Sequence, residues 1–398
     1  DYYASRGLGD VYKRQIQATA RHLMLVDNPF VLSRYAGAHF CGREAETSLL
    51  KHHLENGRDV VLTGNRRLGK TGLIHHLLNQ PDVRDRFYGF YVEAPPTQSP
   101  TSLTRLLCSA ILEETNLRQG SWLAKLKKAL SSVSMQVTVD DSLQPTLSIG
   151  YNAVKTPELS LRELFAFLNG LDRPAIVAID ECQQAAQHRD KTAEALIRSS
   201  ARQAPNVRLI YSGSRRPMLS EMFLKSNQPC DQSAAFVNLE PIPENEYRDF
   251  SQMQFRRAGK ALPEGLFHDI YAAHQGVTWH IHYFLNVLFS LTKRGETASL
   301  THLAQARAQI AGYLEQYYAA LFAGLTDYQK AVLLSIAKDG RAAAVTSQDF
   351  CTRYGLGSVS SIQSALRRLA SLGMVMKQDD GSWRVEDFFF QDWLTANP

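Results

Sequence analysis

The 398-residue sequence has no run approaching the roughly 20 apolar residues that a membrane-spanning helix needs, which argues against an integral helical membrane protein. Its five cysteines, Cys41, Cys108, Cys182, Cys230 and Cys351, are scattered, odd in number and without metal-ligand spacing. That excludes a disulfide framework or a zinc centre as the organising device and points to a reducing, cytoplasmic compartment. Internal repeats and low-complexity tracts are lacking, so a repeat array is not expected. A dominant charge is lacking as well: 44 Lys and Arg against 39 Asp and Glu leave +5, without the clustered basic face of a strong nucleic-acid binder. What remains is an ordinary globular composition on a chain long enough for two or three domains.

The N-terminus stands apart from the rest. Ser5–Gln15, SRGLGDVYKRQ, resembles the conceptual translation of a transposase-based sequencing adapter. It shows neither a cleavage-site pattern nor an apolar core of signal-peptide length. Residues 1–23 are read as adapter-derived or disordered, with Met24 as the natural start, ahead of Asn28-Pro29-Phe30.

From there the chain alternates helical and extended patterns. Leu49, Leu50, His53 and Leu54 fall at helical spacing, and Asn56-Gly57 closes that helix. Asp59–Thr63, Tyr88–Val92, Ala175–Ile179 and Val207–Tyr211 are short apolar runs that read as buried strands, with helical segments between them. Residues 133–150 alternate around a turn and predict a β-hairpin inserted into this core. The expected fold class is therefore α/β: an αβα parallel-sheet domain over 24–242, followed by a helical domain over 243–325, the lid of the resemblance given below, and a winged helix-turn-helix over 326–398.

Gly64-Asn65-Arg66-Arg67-Leu68-Gly69-Lys70-Thr71 fits G-x-x-x-x-G-K-[ST], fed by an apolar strand and followed by a helix, with Gly72 next. Glycines let the backbone curl so that its N–H groups cradle phosphate oxygens, and the helix start adds a dipole favourable to anions. Lys70 is expected to reach the β- and γ-phosphates, and the Thr71 hydroxyl to hold Mg2+. Ile176–Ile179 buries a strand that releases Asp180 and Glu181 at its C-terminal end, where parallel sheets place ligand sites. Asp180 is the candidate second metal residue and Glu181 the candidate general base that polarises the attacking water. At the end of the next strand, Ser212 or Ser214 can sense the γ-phosphate, Ser214 being carried as the candidate catalytic residue. Arg215 and Arg216 can contact phosphate in this or a neighbouring subunit, and both read equally well as solvated loop residues.

These motifs resemble a prokaryotic AAA+ ATPase of the archaeal-ATPase type, related to the STAND and origin-recognition-like P-loop ATPases. The resemblance is carried by Asn28-Pro29-Phe30, the Gly42-Arg43-Glu44-x-Glu46 box, the P-loop, Asp180-Glu181, Gly213-Ser214, Gly276-x-Thr278-Trp279 and the closing Asp387-Phe388-Phe389-Phe390-x-x-Trp393-Leu394. It implies ATP and Mg2+ as cofactors, a lid, a winged helix, and a place for Arg43 on the adenine side of the site. Two departures are visible: Cys182 stands where an aromatic is expected, and Glu93 where Asp is expected.

The remaining segments are helical. Tyr247, Phe250 and Phe255 form an aromatic stripe of the kind that fills cores, and Trp279 near a helix start reads the same way. Three short amphipathic helices over 326–337, 347–354 and 358–372, with Thr326 and Ser347 as N-caps, precede a β-wing. Residues 326–398 carry eight Lys and Arg against eight Asp and Glu, so the domain is neutral. Phosphate contacts supply much of DNA affinity, and this neutrality tilts the reading toward regulation or protein contact. The expected function is an ATP-hydrolysing molecular switch acting on a protein partner or by self-association. The alternatives are a nucleotide-gated DNA-binding protein, with Arg367 and Arg368 on duplex, and a nucleotide-binding scaffold without turnover.

Overall fold

A computed structural model describes residues 28–32, 35–94, 99–118, 121–139, 145–182, 192–214, 234–378 and 380–397. It comprises two compact units, one of residues 35–242 and one in which 28–32 join residues 243 onward.

In the first unit the strands are β1 (Asp59–Thr63), β2 (Tyr88–Glu93), β3 (Val133–Val139), β4 (Pro145–Val154), β5 (Ala175–Asp180), β6 (Val207–Gly213) and β7 (Ala234–Asn238). Five of them form a sheet in the order β2-β5-β6-β1-β7, parallel at every pairing. β3 and β4 form the antiparallel hairpin expected from their alternation. Because side chains alternate across a strand, each apolar run feeds two layers. Val61, Val177, Ile179, Leu209 and Tyr211 pack with Leu103, Leu107, Ile111, Leu161 and Leu164 from helices Pro100–Arg118 and Pro157–Asn169. Val60, Leu62, Ile176, Ala178 and Ile210 pack on the opposite face with Leu50 and Leu54 of Glu44–Glu55 and Leu73, Ile74 and Leu77 of Lys70–Leu78. Each such buried Leu or Ile contributes about 1.5–3 kcal/mol, which is what seats the helix Lys70–Leu78 on the sheet. The same alternation puts Asp180, two residues beyond Ala178, on this second face.

The second unit begins with helices Glu244–Arg257, Glu264–Ala273, Thr278–Leu291 and Leu300–Ala323. Tyr247 and Phe255 are fully buried in it, as their spacing predicts. The ring of Phe30 lies 5.4–6.3 Å from those of Phe250, Phe255, His282 and Phe289. Asn28 donates to the Asn286 carbonyl at 2.9 Å and to Ser290 Oγ at 3.0 Å, while Asn286 donates back to the Phe30 carbonyl at 2.7 Å. Asn28-Pro29-Phe30 thus packs with the helical unit, whereas the sequence reading assigned it to the nucleotide domain. Its partners lie more than 200 residues away, beyond the reach of any local pattern.

The winged helix follows, with helices Asp327–Asp339, Gln348–Tyr354 and Val359–Ser371, strands β8 (Val375–Lys377) and β9 (Trp383–Val385), and a final helix Phe388–Ala396. Thr326 and Ser347 cap their helices, accepting from the backbone N–H of Gln329 and Phe350. The last helix fastens this module to the preceding helices: Trp393 Nε1 donates to Glu315 at 2.7 Å, and Asp387 Oδ1 lies 3.1 Å from His280 Nε2. Trp279 packs on Tyr283 and Phe389, a core role.

Phe30→Ala is expected to destabilise the helical unit by roughly 3–5 kcal/mol, the range for removing a buried Phe. Three of the four tryptophans (Trp279, Trp383, Trp393) lie in that unit, so urea unfolding followed by tryptophan fluorescence reads it directly. An unchanged transition would show that Phe30 is not part of this core.

Candidate nucleotide site

The site is built around the turn that leaves β1. At Gly64 φ is +150°, and a Cβ there would sit 2.7 Å from the Leu239 carbonyl oxygen, so the turn can pass the extension of β7 only as glycine. Gly69 differs: nothing crowds it, and its φ of +94° is what demands glycine at the start of the helix Lys70–Leu78. Arg67 also has positive φ, +66°. Left-handed residues alternating with right-handed ones gather successive backbone N–H groups into an anion-binding concavity. Leu68 is buried and anchors the loop in the core, while Asn65, Arg66, Gly69 and Thr71 are exposed, Arg67 and Gly72 partly so.

Lys70 is buried, and its ammonium donates to the carbonyls of Gly64 at 3.0 Å and Asn65 at 2.9 Å. Thr71 Oγ1 donates to Asp180 Oδ2 at 2.5 Å. This contact joins the first helix after β1 to the end of β5, although β6 lies between those strands. Asp180 is 2% exposed, and its other oxygen accepts from the Glu181 backbone N–H at 3.0 Å. Glu181 has φ +53°, uncommon for a residue with a side chain, and its Oε2 accepts from Ser214 Oγ at 3.5 Å.

Ser212 and Ser214 occupy different surroundings. Ser212, on the face of Ile210, is fully buried, and its hydroxyl has no hydrogen-bond partner among the described residues. Ser214 lies just past the strand, on Glu181. Arg215 and Arg216 lie outside the described residues. Cys182 is buried with the first-face core, and burial followed by the charges of Asp180 and Glu181 pushes its thiol well up, so it is an inert packing residue.

Arg43 is 4% exposed and has φ +72°. Its guanidinium donates to Glu46 Oε1 at 2.6 Å, to the Glu240 carbonyl at 2.7 Å and to the Leu68 carbonyl at 3.1 Å. Its side chain therefore ties the phosphate loop to the end of β7 and to the helix Glu44–Glu55. The sequence had signalled Arg43 only through the adenine side of the resemblance.

One residue escaped the sequence reading altogether. Tyr91, on β2, donates to Asp180 Oδ2 at 3.1 Å, with the ring of His75 at 4.3 Å from its own. Burial and then the Asp180 charge push its phenol pKa up, keeping it a donor. Burial also lowers the pKa of His75 against the opposing pull of Asp180. Only period-2 alternation combined with the β2–β5 register could have revealed Tyr91.

The donors suit a magnesium ion. Among the described residues no three His, Cys, Asp or Glu side chains gather as a metal cage. A hydroxyl and a carboxylate side by side, at a loop made for phosphate, are what Mg2+ takes, since it binds through few protein oxygens plus phosphates and water.

Residues 39–210 match a family model described as AAA ATPase domain, and residues 316–396 match one described as probable winged helix domain. No curated protein matches the chain. Among solved structures, the Walker-type ATPase of Pyrococcus abyssi aligns with a TM-score of 0.59 at 20% identity, covering 92% of this chain and 99% of that one. The Orc1 protein of Aeropyrum pernix, solved in complex with DNA, aligns at 0.50 and 17% identity over 90% and 93% of the two chains. The Orc2 protein of the same organism, in ADPNP–ADP complexes, aligns at 0.51 and 12% identity over 93% and 98%. At these identities the likeness is one of fold. Residues 39–210 of this chain are thus an AAA ATPase domain and residues 316–396 a winged helix domain, on a fold shared with archaeal Walker-type ATPase and Orc proteins.

Proposed function

We propose that this chain binds ATP with Mg2+ and hydrolyses it slowly as a conformational switch, its winged helix serving regulation or protein contact. One observation carries the reading: Lys70 and Thr71 start one helix, Asp180 and Glu181 end one strand, and Thr71 Oγ1 meets Asp180 Oδ2 at 2.5 Å. In this reading the loop from Gly64 through Asn65, Arg66, Arg67, Leu68 and Gly69 to Gly72 cradles the phosphates. Lys70 exchanges its two carbonyl partners for phosphate oxygens. Thr71 and Asp180 hold Mg2+, which offsets the charge that develops on the phosphates during transfer.

Glu181 takes the proton of the attacking water. Its backbone, held by the Asp180 carboxylate, aims the side chain, and Ser214 orients the carboxylate. Ser212, with a buried hydroxyl free to turn, suits the γ-phosphate-sensing role that the sequence left open between it and Ser214. Arg43 acts as the clamp of the loop on its adenine side.

A second reading, a nucleotide-gated DNA-binding protein, is favoured by the helix Val359–Ser371. It exposes Ser360, Ser361, Gln363, Ser364, Arg367 and Arg368 while burying Ile362, Ala365, Leu366 and Leu369. The neutral charge of this domain is what ranks it second. A scaffold that binds nucleotide without turnover is the third, and the Asp180-Glu181 pair speaks against it.

Lys70→Ala is expected to abolish ATP binding in equilibrium titrations; tight binding by this variant would remove the central claim. Glu181→Gln is expected to bind ATP as the parent does while steady-state hydrolysis falls by about 10²–10⁴-fold, the typical worth of a general base. Duplex DNA should leave the parent's turnover unchanged. Turnover that rises on salt-sensitive DNA binding, with both effects lost in Arg367→Ala/Arg368→Ala, would install the second reading instead.

A further inference from the structure

Tyr91 belongs to none of the sequence motifs, yet its hydroxyl reaches the same carboxylate oxygen as Thr71. β2 pairs with β5 so that Tyr91 lies opposite Ala178 and Glu93 opposite Asp180. Alternation then turns the Tyr91 ring to the face carrying Leu73, Ile74 and Leu77, where it is partly buried. His75, about one helical turn after Thr71, presses its ring against that of Tyr91 at 4.3 Å. Asp180 thus receives three donors from three elements: Thr71 and Tyr91 on Oδ2, the Glu181 backbone on Oδ1.

An Asp at a strand end has a broad, two-fold χ2 preference, so the backbone does not by itself hold the carboxylate in one rotation. Three hydrogen bonds do. The geometry points to Tyr91 as a positioning residue for nucleotide hydrolysis: its hydroxyl locks the Asp180 carboxylate in the rotation that faces Thr71, and the His75 ring holds the tyrosine in place. The inference rests on the proposed reading of Asp180 as a residue that holds Mg2+. A Thr71 hydroxyl that donates its only proton to Asp180 keeps its lone pairs for a cation, so the same contact serves both tasks. Partners of this kind, one shell out from a metal, are typically worth about 10–100-fold in metal affinity or activity.

Tyr91→Phe keeps the ring and its packing on His75 and removes only the hydroxyl. ATP affinity of the full chain is measured by calorimetry in EDTA and across a Mg2+ series, for the parent, Tyr91→Phe, Asp180→Asn and the double variant. Melting temperatures report folding. Tyr91→Phe should match the parent's affinity in EDTA and its melting temperature, yet need about 10–100-fold more Mg2+ for half of the Mg2+-dependent tightening. Added to Asp180→Asn, it should change nothing further, because residues acting through one group are not additive.

A Mg2+ midpoint within about twofold of the parent, an equal loss with and without Mg2+, or full additivity with Asp180→Asn would each overturn the proposal. If the parent's own ATP affinity ignores Mg2+, the reading of Asp180 fails and takes this inference with it. If the parent responds and Tyr91→Phe responds identically, only this inference fails.

Discussion

The nucleotide domain turns on one short hydrogen bond, from Thr71 to Asp180. The strands that deliver these residues are not neighbours, since β6 separates β1 from β5. The bond therefore requires the strand order, the parallel pairing and the seating of helix Lys70–Leu78 on one particular face. Each depends on apolar packing: Leu73, Ile74 and Leu77 fix the helix against Val60, Leu62, Ile176, Ala178 and Ile210. A one-residue slip of β5 would send Asp180 to the opposite face, because strand side chains alternate. Register and the meeting of Thr71 with Asp180 are thus set by the same contacts.

Around that bond the domain buries charge and stores strain. Arg43, Lys70 and Asp180 are all nearly inaccessible, and each is met by several hydrogen-bonding partners. Of the five non-glycine residues with positive φ among the described residues, Arg43, Arg67 and Glu181 belong to this site. Such conformations cost of order 1–3 kcal/mol each and persist where the surroundings over-determine them. The surroundings here are Arg43 on the Leu68 carbonyl, the crowding of Gly64 by Leu239, and the hold of Asp180 on the Glu181 backbone. A loop fixed in this way is held in one backbone conformation, the condition under which binding costs least ordering.

The helical unit follows a different logic. Its first four helices and its winged helix are joined by Trp393 on Glu315, Asp387 against His280, and Phe389 among Trp279, His280 and Tyr283. Asn28 and Phe30 pack from far away in the chain on Phe250, Phe255, Asn286 and Phe289 of the same unit. The winged helix therefore packs within the same compact unit as the helices that precede it.

The local chemistry was legible from residues alone. Gly64–Thr71 is contiguous, and a glycine-rich turn between an apolar strand and a helix can serve few ends other than phosphate. Asp180 and Glu181 followed from an apolar run that must be buried and must end. Helix caps at Thr326 and Ser347 were readable for the same reason: a cap acts within three residues. What the sequence left open was every contact between distant segments. The different surroundings of Ser212 and Ser214 were not readable until the end of β6 was known. Arg43 revealed its carbonyl partners, Asn28 its helix, and Tyr91 its carboxylate only once strands and helices were packed. Local backbone preferences are carried by neighbouring residues, whereas strand order and register are settled by burial summed over the whole core, which no short stretch of sequence contains.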